Sequence, residues 1–188
     1  WDLRSGKCQL QFVNHNKEVN TATFSQDNRQ IFSAGFEHDL RLWNTKAEFK
    51  MASNQNNHQD WVSRVRYSQS AKNNYYASVG WDGRLKLWDG LFKLRCSIRA
   101  HENPIYALAL AKNGQYIATG GKDQEVKIWN FTDMTKPAFT FPTNGNVNAI
   151  AFNNNLQWVA AACDNSINIW DLTSDSQTEL NEILPESR

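Results

Sequence analysis

A tryptophan followed by Asp or Asn recurs along this chain at nearly constant intervals. Successive pairs lie 42, 45, 41 and 41 residues apart. The pairs begin at Trp1, Trp43, Trp88, Trp129 and Trp170. Each of the last four ends a short segment in which polar and apolar side chains alternate, as in residues 40–43 (LRLW). Alternation of this kind is typical of β-strands. The sequence therefore predicts an all-β chain built from one repeated unit of about 40–45 residues.

Residues 101–143 show how one unit is organised. Four segments alternate in polarity or carry β-branched and aromatic residues, and Asn113-Gly114 supplies the positive φ angles that a tight hairpin turn needs. The predicted strands are 104–111, 116–120, 125–130 and 136–141. A four-stranded unit of this length with a Trp-Asp signature is typical of a propeller blade. We expect a seven-bladed WD-repeat β-propeller, of which this chain shows about four blades.

The repeat also predicts the boundaries along the chain. We expect four WD repeats, a preceding segment that ends an earlier blade and forms its outer strand, and a connecting tail. The repeats are predicted at 15–57, 58–100, 101–143 and 144–173, the preceding segment at 1–14 and the tail at 174–188. An arc of four blades would expose apolar flanks that a closed ring covers. Together with the start at Trp1, inside a repeat and without Met, this predicts an incomplete propeller.

Composition argues against several classes of protein. The chain has 20 Lys or Arg and 19 Asp or Glu, no apolar run near the ~20 residues that span a bilayer, and no leader pattern at its start. We therefore expect a cytoplasmic protein without membrane contact. Cys8, Cys96 and Cys163 lie far apart, and the four His are scattered, so neither zinc nor redox spacing is present. No metal, cofactor or small-molecule substrate is predicted.

Charge is unevenly distributed along the chain. Residues 41–99 hold eleven Lys or Arg and four acids, whereas residues 100–187 hold four Lys or Arg and ten acids. The basic stretch could face an acidic partner. It is equally compatible with solvated strand faces whose charges differ between the two halves.

A polar quartet is fixed relative to each repeat tryptophan: Ser or Thr ten residues earlier, an acid six residues earlier, and a His near the start of the unit. The sets in the second and third units are complete: His58, Ser78, Asp82, Trp88 and His101, Thr119, Asp123, Trp129. The first unit offers His15, Ser33, Glu37 and Trp43. The last keeps only Asp164 and Trp170.

Ser, His and Asp together raise the hypothesis of a hydrolase, because a carboxylate that orients an imidazole can activate a hydroxyl. The structural interpretation is favoured. The set recurs in successive units and includes an indole, whose N–H needs a partner when buried. No Gly-x-Ser-x-Gly elbow or phosphate-binding loop is present. We therefore expect a structural tetrad and no enzymatic activity.

Partner-binding candidates lie where the repeat predicts exposed positions. Phe36 and Trp81 stand at the turns before the acids, and Trp61 and Tyr106 at the starts of first strands. Arg64 and Arg84 alternate with other residues on strands of the unit that holds the two tryptophans. Exposed aromatic residues with neighbouring Arg suit a protein partner that carries acidic and apolar side chains. The alternative is that the aromatic rings pack beneath their own loops and the arginines line a solvated face. No RNA-reading motif is present.

Several short sequence segments are more specific than the general repeat pattern. They are residues 28–31 (NRQI), 61–68 (WVSRVRYS), 80–82 (GWD), 120–123 (GGKD) and 167–171 (INIWD). In these the chain resembles the family of the receptor for activated C kinase, the eukaryotic G-protein-beta-like propellers associated with the small ribosomal subunit. The resemblance covers nearly the whole chain, and its register matches the third to sixth of seven blades.

The resemblance implies a non-catalytic cytoplasmic scaffold on the head of the 40S subunit, near the mRNA exit. Its implied partners are ribosomal proteins and rRNA, protein kinase C, and other signalling or translation factors. A free G-protein-beta-like scaffold that does not bind ribosomes is the alternative. The family's basic first-blade segment is absent, so no rRNA contact can be carried over from it. Residues 36–38 (FEH) also replace a turn that tends to be Arg-Asp-Lys in the family.

Overall fold

The structure is a computed structural model that describes residues 2–46, 48–52, 57–68, 70 and 74–173. In these residues the regular elements are fifteen β-strands. The first sheet contains β1 (Val19–Phe24), β2 (Gln30–Gly35), β3 (Leu40–Asn44) and β4 (Phe49–Ala52). The second contains β5 (Val62–Tyr67), β6 (Tyr75–Gly80), β7 (Arg84–Asp89) and β8 (Leu94–Arg99). The third contains β9 (Ile105–Leu110), β10 (Tyr116–Gly121), β11 (Glu125–Asn130) and β12 (Phe139–Pro142). The fourth contains β13 (Ala149–Phe152), β14 (Trp158–Ala162) and β15 (Ile167–Asp171).

Each sheet is an antiparallel meander in which strands follow one another in chain order. The hairpins close with residues at positive φ, as at Asn28 between β1 and β2 (56°) and Gly114 between β9 and β10 (70°). Asn and Gly adopt this conformation at low cost, and such turns match the twist of the strands. Each sheet is therefore one blade.

The blades are joined through their inner strands. β1 contacts β5, β5 contacts β9, and β9 contacts β13. Hydrogen bonds cross the junctions: the Val65 amide donates to Thr21 Oγ1 at 3.1 Å, and the Ser63 hydroxyl donates to the Ile105 carbonyl at 2.5 Å. These bonds satisfy polar groups that would otherwise be buried without partners. The four inner strands consequently lie side by side.

The apolar core lies between blades. Three clusters of buried side chains join the first blade to the second, the second to the third and the third to the fourth. A blade buries its apolar face only against a neighbour, as propeller architecture requires. The predicted fold class is confirmed: the chain is an all-β, partial WD-repeat β-propeller of four blades.

The two end blades differ from the middle ones. The inner strands β5 and β9 are mostly buried, whereas β1 and β13 expose several positions, and Val19 and Phe24 are about half exposed. β5 and β9 each have a blade on both sides, while β1 and β13 have one on a single side. The exposure of the end strands follows from this arrangement.

The segment before the first blade differs from the expectation. Residues 2–14 contain one isolated bridge, between Asp2 and Lys7, and not the outer strand predicted there. An outer strand pairs with the third strand of its own blade, and that strand would precede these residues, whereas the described strands begin with β1. The predicted tail at 174–188 lies outside the described residues. The part of the chain that is described has no helix long and apolar enough to cross a membrane.

Candidate functional site

The quartet of the second blade is a continuous chain of hydrogen bonds. The indole Nε1–H of Trp88 donates to Ser78 Oγ at 2.9 Å, and Ser78 Oγ lies 2.9 Å from His58 Nε2. His58 Nδ1 lies 3.0 Å from both carboxylate oxygens of Asp82. The register explains the meeting: Ser78 pairs with Lys86 across the hairpin, and Trp88 follows two residues later on the same face.

The other blades show how far the pattern extends. In the third blade, Thr119 Oγ1 accepts from Trp129 at 2.9 Å and lies 2.7 Å from His101 Nε2, while His101 Nδ1 lies 2.6 Å from Asp123. The first blade repeats the arrangement with a glutamate in place of Asp. Its members are His15, Ser33, Glu37 and Trp43. The structure therefore brings together both complete tetrads and the first-blade set.

The fourth blade replaces the tetrad. Asp164 accepts hydrogen bonds from the backbone and side-chain amides of Asn146, each at 3.0 Å, and from Asn148 at 3.2 Å. Asn144 and Ala160 occupy the places of the His and the hydroxyl. Here the turn carboxylate is held by asparagines.

One protonation state satisfies every member of the second-blade tetrad. Trp88 donates to Ser78, the Ser78 hydroxyl donates to His58 Nε2, and His58 Nδ1–H donates to Asp82. Burial lowers the pKa of His58 below its ordinary value, against the opposing effect of Asp82. Burial alone would raise the pKa of Asp82, but the hydrogen bonds that it accepts from His58 and from two backbone amides outweigh burial and lower that pKa. The imidazole is therefore neutral and the carboxylate ionised at pH 7.

The carboxylates also hold the backbone. Asp82 accepts the amides of Gln59 at 2.9 Å and Arg84 at 3.1 Å. Glu37 accepts the amide of Asn16 at 2.6 Å. Each bond of the Gln59 and Asn16 kind fastens the turn after the second strand to the segment that leads into the first strand. The tetrad thus fixes the relative position of two loops on one face.

Sequence reasoning missed a cation in each of the first three blades. It stands two residues before the repeat tryptophan and directly opposite the Ser or Thr of the tetrad. Arg41 forms a buried ion pair with Glu37 at 2.8 Å. Lys86 donates to the carbonyl of Asn57, and Lys127 donates to the equivalent carbonyl, that of Ala100, at 3.2 Å. The signal was the same basic position in three of the four units.

The hydroxyls of the tetrads are buried. Ser78 and Thr119 have no exposed surface, and each already accepts an indole N–H. A nucleophile in this position has no path to a substrate. Among the residues that the structure describes, no group of three or more His, Cys, Asp or Glu is arranged to hold a metal ion.

Four aromatic rings form a row on the face that carries these loops. Phe36 meets Trp61 edge to face at 4.7 Å between ring centroids, Trp61 meets Trp81 at 4.7 Å, and Trp81 meets Tyr106 at 6.1 Å. Trp61 and Trp81 remain 37% and 38% exposed. The row therefore crosses from the first blade to the third and presents two indoles to solvent.

A backbone contact repeated in the first three blades positions three members of this row. The residue after the last glycine of the second strand donates its amide to the carbonyl of the residue before the first strand. Phe36 bonds Glu18 at 3.0 Å, Trp81 bonds Trp61 at 2.8 Å, and Lys122 bonds Pro104 at 2.9 Å. Glycine is needed there because a Cβ at Gly35, Gly80 or Gly121 would lie 2.0–2.8 Å from the same carbonyl oxygens. Phe36, Trp61 and Trp81 are consecutive positions in this series.

The two candidate arginines lie elsewhere in the blade. Arg64 is on the inner strand and donates to the carbonyl of Ser63 at 2.8 Å. Arg84 begins the third strand and reaches Ser97 Oγ on the outer strand at 3.4 Å. The described ring contacts of Trp61 and Trp81 are with each other and with Phe36 and Tyr106. The structure thus joins the four aromatic candidates into one surface and separates the arginines from each other.

Comparison with known proteins relates this geometry to a family. The family described as WD domain, G-beta repeat, matches residues 6–44, 50–89, 92–130 and 135–171. The small ribosomal subunit protein RACK1 of Caenorhabditis elegans is 37% identical over 187 residues, which are 99% of this chain and 57% of that protein. The protein of the same name from Drosophila melanogaster is 36% identical over 228 residues, covering 98% of this chain and 71% of that protein. That of Neurospora crassa is 33% identical over 144 residues, covering 76% and 45%.

The chain spans little more than half the length of the nematode relative. The matched repeats include all four blades and every residue of the three tetrads, from His15 to Trp129. The family resemblance that these short sequence segments indicated is confirmed. The chain belongs to the WD-repeat family and, within it, to the family of the RACK1 small ribosomal subunit proteins.

Proposed function

We propose that this protein is a non-catalytic, ribosome-associated scaffold that presents one propeller face to partner proteins. The observation that carries the proposal is a contrast on that face. The hydroxyls of the Ser-His-Asp sets are buried and satisfied internally, whereas the two indoles at the centre of the aromatic row are exposed. Exposed Trp residues on rigidly held loops are typical of protein interfaces. The tetrads then hold the loops, and the row makes the contacts.

Ribosome association is supported by the names of the relatives, which are small ribosomal subunit proteins. We infer that the protein is cytoplasmic and lies on the head of the 40S subunit, in contact with ribosomal proteins and rRNA. Protein kinase C, other signalling proteins and translation factors are the partners it would recruit there. No cofactor, membrane or small-molecule substrate enters this function.

Burial argues against the hydrolase alternative. An attacking hydroxyl must approach a substrate carbonyl, and an oxyanion needs donors beside it. Ser78 and Thr119 are enclosed by their own blades, and their indole partners occupy the oxygen from the other side. The arrangement resembles a catalytic triad in its distances, but its hydroxyl has no access to solvent.

Sedimentation tests the proposal. The protein is mixed with purified 40S subunits and centrifuged through a sucrose gradient, with 60S subunits as the control. We expect it to move with the 40S peak and to leave it as salt rises, since contacts to phosphate depend on ionic strength. Protein that stays at the top of the gradient in low salt would contradict ribosome association and favour the free scaffold. Ester hydrolysis abolished by Thr119→Ala without loss of stability would contradict the non-catalytic assignment.

A further inference from the structure

The ends of the aromatic row differ in charge. At the first-blade end of the row stands Glu18, whose backbone carbonyl accepts the amide of Phe36. At the third-blade end stands Lys122, which holds the place that Phe36 and Trp81 hold in the first two blades. Its amide donates to the carbonyl of Pro104, which lies two residues before Tyr106. Both charged side chains are exposed, and neither forms an ion pair with another described residue. The row therefore runs between a free carboxylate and a free ammonium group.

The row is long and narrow. Its three centroid separations are 4.7, 4.7 and 6.1 Å. It is thus at most about 15 Å long, the length of roughly four or five residues of extended chain. The two indoles are the exposed part, and they lie at its centre. A surface of this shape fits one extended segment better than a folded domain.

We propose that this row is the docking site for an extended segment of a partner protein. The segment carries a large apolar side chain that packs on Trp61 and Trp81, a basic side chain toward Glu18 and an acidic side chain toward Lys122. The assignment of polarity comes from charge complementarity at the two ends. This inference deepens the proposed scaffold function and rests on it.

A nucleic acid is the other class of partner that stacks on aromatic rings. The charges beside the row disfavour it. Glu18 stands at one end, and Asp60 accepts the amide of Trp61 at 2.8 Å, which places a carboxylate next to the central indole. A single strand on the row would bring phosphates toward both acids, whereas a peptide can place a basic side chain there.

Peptide display tests the proposal with the protein as it is. A library of random seven-residue peptides is selected on the protein and counter-selected on the Trp61→Ala/Trp81→Ala double variant. We expect enrichment of peptides with a central apolar residue between a basic and an acidic one. A synthetic peptide of the enriched sequence, followed by fluorescence anisotropy, should lose about 30-fold or more in affinity with each single Trp→Ala variant. Trp158→Ala is the matched control, because Trp158 is an exposed tryptophan of β14 outside the row, and it should bind unchanged.

Charge reversal tests the polarity without disturbing the fold. Lys122→Glu should weaken the enriched peptide about three- to tenfold, and a peptide whose acidic residue is replaced by Lys should recover the loss on that variant. Since Lys122 is exposed, this arm decides the question even where a Trp→Ala variant does not fold. Absence of any enrichment, or an enriched peptide that binds the reversed and original surfaces equally, would overturn the proposal. A ten-nucleotide oligo-U that binds the protein and is lost in Trp81→Ala would overturn it in favour of RNA.

The result is separable from the test of ribosome association. We expect the double Trp variant to sediment with 40S subunits like the original protein, because the row is proposed to bind a partner protein and not the ribosome. Peptide binding without sedimentation would support the docking site and contradict the ribosomal part of the proposed function. Sedimentation without peptide enrichment would support ribosome association and contradict the docking site.

Discussion

Removal of one hydroxyl should test whether the tetrads stabilise the blades. Ser78→Ala deletes the oxygen that accepts the indole N–H of Trp88 and donates to His58 Nε2, both at 2.9 Å. All three side chains are buried, so water cannot replace the lost partner. A buried polar group left without a hydrogen bond costs about 1–3 kcal/mol. Two such groups predict a loss of about 2–6 kcal/mol in the free energy of unfolding, a large part of the ~5–15 kcal/mol of a typical domain.

Urea unfolding followed by tryptophan fluorescence measures this loss. With a typical urea slope of about 2 kcal/mol per molar, the midpoint should fall by roughly 1–3 M while the slope stays constant. Ser97→Ala is the control on the exposed outer strand, and it should shift stability by no more than about 0.5 kcal/mol. Ser78→Thr should recover most of the loss, because Thr119 makes the same two bonds in the third blade.

A different outcome would refute the reasoning. If Ser78→Ala loses less than about 0.5 kcal/mol, the serine oxygen does not hold the indole and the imidazole, and the blade is stabilised by apolar packing alone. If Ser78→Thr is as unstable as Ser78→Ala, the site senses shape and not hydrogen bonding. Either result would contradict the structural role that we assign to the tetrads.

Three further predictions follow from the same blades. Gly121→Ala should be strongly destabilising in urea unfolding, because its Cβ would lie 2.0 Å from a backbone carbonyl oxygen, whereas Gly90→Ala, with nothing within 4 Å, should be nearly neutral. Stability should fall as pH drops below about 6.5, the ordinary pKa of His, because burial lowers the pKa of His58 and the unfolded chain takes up the proton first; an unfolding midpoint that is constant from pH 7 to pH 5 would contradict this. Lys86→Met should cost about 1–3 kcal/mol, since the carbonyl of Asn57 loses its charged donor. A stability equal to that of the original protein would show that the ammonium group is dispensable.

The face and its candidate residues could be predicted in part from the sequence. The repeat predicts exposed positions at the turns and at the starts of first strands for Phe36, Trp61, Trp81 and Tyr106, and the structure puts these residues in one row. Their mutual contacts could not be derived, since the Phe36–Trp61 and Trp81–Tyr106 pairs cross from one blade to the next. Such contacts depend on how neighbouring sheets are rotated, and this rotation leaves no periodic signal in the sequence.

The positions of the two arginines could not be derived from the sequence either. Arg64 and Arg84 are close to the tryptophans in sequence, which predicts one shared surface. The structure places one on the inner strand and the other beside Ser97 of the outer strand. A blade is four strands wide, so residues twenty positions apart can lie on different strands of the same sheet. Proximity along the chain did not predict proximity in space.

The content of each blade follows from the sequence alone. Strand alternation, hairpin turns and the spacing of Ser78 and Trp88 act within one antiparallel pair, where a register of hydrogen bonds converts sequence distance into position. The surface between blades depends on how the sheets pack, and it includes the aromatic row, its charged ends and the exposed strands β1 and β13. These arise from packing of one sheet against the next, which buries apolar area without direction and therefore leaves no fixed spacing to read.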